Sequence, residues 1–155
     1  MLVYPIVAVF LMYMNFNFAD TSSDNFYAFL KTAVLLSFAG SNFGLMWGAF
    51  FDNEMTAINS AFLFALLFSL GGGKFINLKN KSVVVKYLSN ISPIRYAVER
   101  FFRRIVSENE DYDTFLLSYF GFNQGDAVCE LWIFGLAISF VIIGWIAMHW
   151  KARRF

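Results

Sequence analysis

The sequence holds 155 residues, of which 59% are hydrophobic and 21% aromatic but only 15% charged, against about 25% charged in an ordinary soluble domain. That balance excludes a disordered chain and argues against a water-soluble globule. Its net charge of +1 lacks the concentrated basic field that nucleic acid requires, so nucleic acid is not expected as a partner.

A helix needs about 20 mostly apolar residues to cross a hydrocarbon core about 30 Å thick. Four stretches meet or approach that length, and they predict an all-α integral membrane fold with spans over about 1–18, 26–51, 55–73 and 131–150. The first has no charge before Asp20 and carries Pro5 close to its start, where proline is tolerated. It lacks the basic n-region and small-residue cleavage site of a signal peptide and reads as a span. With no polar flank ahead of it, it looks like part of a chain whose beginning is missing. In the second, 20 uncharged residues separate Lys31 from Asp52, and Gly40, Gly44 and Gly48 recur every four residues. Small residues at that spacing strip one helix face of bulk and suit close helix packing, inside the chain or between chains. The third occupies the 19 residues between Glu54 and Lys74 and runs into Gly71, Gly72 and Gly73, which are expected to break the helix. The fourth fills the 20 residues between Glu130 and Lys151, with Trp132, Trp145 and Trp150 placed as interfacial anchors.

A long loop, 74–127, joins the last two spans and must carry structure of its own. Within it Ser92 and Pro93 read as a helix cap and a first-turn proline. The residues that follow put Ile94, Val98, Phe101, Phe102 and Ile105 on one face and Arg95, Glu99, Arg100, Arg103 and Arg104 on the rest. This predicts a basic amphipathic helix lying along a membrane or protein surface. The loop carries eight basic residues and the C-terminus three, so charge counting alone puts the loop in the cytoplasm. Asn80 and Asn90 each open a glycosylation sequon, which if occupied would put the loop on the other side.

No catalytic constellation emerges, and no metal site. Gly71 to Lys74 imitates a phosphate loop, but Phe75 stands where Ser or Thr belongs and the preceding segment is a span rather than a strand. Glu108, Glu110, Asp111 and Asp113 lack the glycine and spacing of a calcium loop. The lone Cys129 cannot form an intrachain disulfide or complete a zinc site with the lone His149.

The phrases KFINL and YLSNISPIRYAVE resemble the loop after the fifth span of G-subfamily (White-type) ABC half-transporters, with Ser92, Pro93, Arg95, Tyr96 and Glu99 in register. LLSFAGSNFGLMWGAFF resembles that family's fourth span and LVYPIVAVFLMYMNF its third, while Cys129 to Trp150 falls where the sixth belongs. The resemblance implies the C-terminal part of a permease domain, spans three to six, in a plasma membrane or endomembrane. It implies a dimer with a second half-transporter, an extracytoplasmic long loop, and export of a lipid, sterol or other hydrophobic small molecule. ATP and magnesium would act on a nucleotide-binding domain outside this sequence. Carried onto this chain, the substrate cavity would be lined by Phe62, Leu66 and Ser69. The hydrophobic valve at the top of the fifth span would fall on Lys74 and Phe75, where lysine departs from the family's bulky apolar pair. The family's Asn-Glu-Phe after the loop helix is replaced by Arg104, Ile105 and Val106. A stand-alone four-span structural subunit of a larger membrane complex is the competing expectation.

Overall fold

A computed structural model describes residues 23–72, 83–106 and 124–153, together with residues 6, 7, 10, 119, 121 and 122. It contains helices α1 (Ser23–Phe50), α2 (Glu54–Gly71), α3 (Val83–Ile91), α4 (Pro93–Val106) and α5 (Asp126–Ala152), and no strand among the described residues. Three helices are long and apolar enough to span a bilayer: Phe26–Phe50 within α1, all of α2, and α5. They coincide with the expected second, third and fourth spans. The expected first span, 1–18, lies outside the described residues except for positions 6, 7 and 10, so the described spans number three.

Local signals explain the boundaries. α1 ends at Phe50 and α2 begins after Asn53, whose side-chain oxygen accepts the Met55 amide at 3.0 Å, a helix N-cap. α2 stops at the glycines, as expected. A Cβ added to Gly71 would lie 3.5 Å from Ser89 Cα, and one on Gly72 would lie 3.2 Å from Ile94 Cγ2. The approach at Gly72 is the tight one, so a small residue there lets α4 cross the end of α2 closely, while Gly71 lies at ordinary contact distance from α3. Hydroxyls inside the apolar helices turn back on their own backbone, Thr32 to the Ala28 carbonyl and Ser41 to that of Ser37, both at 2.8 Å.

α1 and α5 run parallel. Lys31 meets Glu130, Met46 meets Gly144 and Asp52 meets Lys151, so the partners keep an almost constant separation in sequence along the whole length of both helices. They approach closely at Gly144, where an added Cβ would lie 3.2 Å from Met46 Cα. α2 packs antiparallel to α1, with Phe68 against Phe43 at 5.4 Å and Phe64 against Trp47 at 4.8 Å between ring centroids. Two apolar clusters hold the bundle. Ala39, Tyr96, Ala97, Cys129, Ile133 and Ala137 form one, joining α1, α4 and α5. Phe43, Met46, Phe68 and Phe140 form the other, joining the three spans at mid-depth.

Candidate functional site

The C-terminal end of α2, the α3–α4 junction and the N-terminal ends of α1 and α5 converge at one end of the bundle. Their meeting point is built from the residues of the loop phrase. Pro93 opens α4 as expected, since a first-turn proline forgoes no helical hydrogen bond. Ser92 is fully buried, and its hydroxyl donates to the Phe68 carbonyl at 3.0 Å. The residue expected to cap α4 thus bonds to the last turn of α2, satisfying a carbonyl that the helix end leaves unpaired. Tyr96 donates from its hydroxyl to the Asn90 carbonyl at 3.0 Å and stacks on Trp132 with ring centroids 5.6 Å apart. Its phenol is raised above its ordinary 10.0, chiefly by burial. Arg95 donates to the Asn90 side-chain oxygen. Asn90 itself is exposed in the last turn of α3, while Ser92 of the same sequon is buried in the junction. Asn80 lies outside the described residues.

α4 departs from its expected orientation. Its charged arc is turned into the protein, with Glu99 at 0% and Arg100 at 4% exposure, while Ile94, Val98, Phe101 and Phe102 on the apolar arc are only half-buried. The reason lies outside the helix. α5 presents Glu130 and Asp126 to it, and the chain entering α5 presents a backbone amide. Arg100 pairs with Glu130, whose other oxygen accepts Lys31 of α1 at 2.6 Å. Arg104 pairs with Asp126 at 2.9 Å, and Arg103 donates to the Phe122 carbonyl at 3.2 Å. Glu99 accepts the Gln124 amide at 2.6 Å and lies 3.6 Å from Arg103. Buried charges persist only when paired in this way. Burial still pushes the Glu99 carboxyl up from its ordinary 4.5, with the Gln124 amide, Arg95 and Arg103 pulling it back.

The expected cavity residues lie elsewhere, along α2. Phe62 is 64% and Leu66 46% exposed, Ser69 is half-buried, and no described helix covers Phe62. The expected valve residues, Lys74 and Phe75, lie outside the described residues. A Cβ added to Gly40, Gly44 or Gly48 meets nothing within 4 Å, so among the described residues this face is open. The close contact of α1 is made at Met46 instead. Gly71 and Gly72 do not fit a phosphate loop, because they close a membrane helix and are pressed against Ser89 and Ile94.

The charge pairs were missed by the sequence reading. Their signal is present as a symmetry: Lys31 and Asp52 bracket one uncharged run, and Glu130 and Lys151 bracket another of equal length with the signs reversed. Reversed signs at equal spacing are what two parallel helices in register require.

Apolar helices long enough to span a bilayer, with charge confined to their ends, define an integral multi-pass membrane protein. The chain belongs to the ABC-2 type transporter family, whose pattern it matches over residues 1–103, from the N-terminus into α4. No curated protein matches it. Membrane domains of this family act as the permease part of ABC transporters, working with a nucleotide-binding domain and another permease.

Proposed function

We propose that this chain is permease sequence of a G-subfamily exporter that moves a lipid, sterol or other hydrophobic small molecule through a two-fold interface with a second half-transporter. ATP and magnesium act on a nucleotide-binding domain outside this sequence. The observation that carries the reading is the state of α2. It is apolar on every side, yet none of the described residues covers Phe62, Leu63 and Leu66 in mid-span, while its end is fixed to α4 through Ser92. A helix anchored at one end with a bare apolar face suits a wall of a substrate path. Closure of the nucleotide-binding domains would bias the spans between inward- and outward-facing arrangements, a ligand at one site shifting the population of states at another.

The test is ATP-dependent export of labelled hydrophobic substrates by cells or vesicles carrying the protein with its ATPase. Replacing Phe62 and Leu66 together by Asn is expected to lower export about tenfold, the equivalent of losing ~1.4 kcal/mol of contact, with surface expression unchanged. Unaltered export in that variant would remove α2 from the path. ATP hydrolysis by this 155-residue chain alone would overturn the assignment of hydrolysis to a separate domain.

A further inference from the structure

α2 stops short of its neighbours. Phe68 in its last turn is level with Phe43, so α1 continues beyond it, and α4 takes the place of α2 against the extended part of α1 and α5. Tyr96 and Ala97 of α4 pack there into the cluster of Ala39, Cys129 and Ile133. Direct contact between α2 and α5 is slight. Inside the membrane the two are linked through Phe43, whose ring lies 5.4 Å from that of Phe68 and 5.3 Å from that of Phe140, an apolar contact without directional preference. At the end of the bundle the link is α4, and both of its ends are keyed.

The α2 end is keyed by a hydrogen bond and by shape. Ser92 donates to the Phe68 carbonyl at 3.0 Å, and Ile94 Cγ2 would lie 3.2 Å from a Cβ on Gly72. The α5 end is keyed by charge. Arg100 pairs with Glu130, and one turn further along α4 Arg104 pairs with Asp126, one turn earlier on α5. Two pairs at equal spacing and in reversed order fix an antiparallel register, since a slip of one turn either way leaves one arginine without its carboxylate. Arg100 is 4% exposed, and its Nε and Nη1 have no hydrogen-bond partner among the described residues, so Glu130 is what compensates its charge. Lys31 meets the other oxygen of Glu130 at 2.6 Å, but its side chain is 60% exposed and water can replace that contact.

We propose that α4 is a coupling arm that makes the glycine end of α2 and the start of α5 move as one body, with Glu130 the positioning residue that holds the arm. A carboxylate on α5 thereby governs the opening of the last turn of α2, a helix to which it is not bonded, through a continuous chain of ion pairs, packed side chains and one hydroxyl. The coupling belongs to the folded chain and stands whether or not the chain exports a hydrophobic substrate.

The experiment is amide hydrogen exchange of the purified protein in lipid nanodiscs, read by mass spectrometry. Glu130→Gln is expected to speed exchange about tenfold, the equivalent of ~1.4 kcal/mol, both in α4 and at residues 68–72, while the middles of α1 and α5 keep their rates. Lys31→Gln should change neither region. Ser92→Ala cuts the arm at its other end, so it should speed 68–72, and adding Glu130→Gln to it should speed 68–72 no further. Asp126→Asn removes the partly exposed pair and should reproduce the Glu130→Gln pattern at smaller size; it decides the matter if Glu130→Gln does not fold. Unchanged exchange at 68–72, a rise spread evenly over all three spans, an equal effect of Lys31→Gln, or additive rises in the double variant would each overturn the proposal.

Discussion

Glu99 has no exposed surface, and every group that faces it does a different job. The Gln124 amide and Arg103 favour its charged form, and burial disfavours it more strongly, so its pKa is raised above 4.5. A raised carboxyl holds its proton in the folded state over a range where the unfolded chain has already released it. Its contribution to stability is therefore complete below about 4.5 and lost as pH rises through the raised value. The difference in thermal stability between the native protein and Glu99→Gln, measured in detergent across that range, should shrink from the native side as pH rises. A difference independent of pH would show that the carboxyl titrates normally. Arg95 and Arg103 near Glu99 could be read locally, but its hydrogen-bond donor could not, because Gln124 lies 25 residues away. The side chains of the loop phrase were legible as a group. Their direction was not, since it depends on carboxylates carried by another helix.

Among the elements, the spans were the easiest to read. Runs of 19 or 20 uncharged residues leave a helix few other environments, and α1, α2 and α5 fall on those runs. The helix in the loop was legible from Ser92 and Pro93, but its inward face was inverted by the ion pairs with α5. Among the described residues Gly40, Gly44 and Gly48 face open space, and the tight contact falls on Gly144. These two kinds of glycine should respond oppositely to the same change. Gly144→Ala forces a Cβ to within 3.2 Å of Met46 Cα and should destabilise the bundle by roughly 1–3 kcal/mol, the usual cost of overpacking. Gly48→Ala meets nothing and should be neutral or stabilising by up to about 1 kcal/mol through helix propensity. Thermal unfolding followed by circular dichroism in detergent separates them, and equal effects would contradict the parallel contact of α1 and α5.

For the whole molecule the open question at the level of sequence was which side the loop faces, because eight basic residues pull it toward the cytoplasm while the family likeness puts it outside. The structure gathers Arg100, Arg103 and Arg104 into pairs and backbone contacts. Under the proposed function, a cysteine introduced at the exposed Tyr87 of α3 is labelled by an impermeant maleimide on intact cells. One at the exposed Glu54, at the opposite end of the bundle, is labelled only after permeabilisation. Cys129 is fully buried and gives little background. The reverse labelling pattern would overturn the extracytoplasmic assignment of the loop.

Lys31 with Glu130 and Asp52 with Lys151 tie α1 to α5 at both ends, and the two ties are about 31 Å apart along the helices at 1.5 Å per residue. A lone helix adapts to a thin bilayer by tilting. Two parallel helices fastened top and bottom can tilt only as a slab, and α4, pinned to both through Arg100 and Glu130, tilts with them. The paired spans thus form a fixed gauge of hydrophobic thickness. In a membrane a few ångströms thinner or thicker than that gauge, the lipid must deform around the protein or the whole cap must lean, a mismatch that favours some membranes over others as its place of residence.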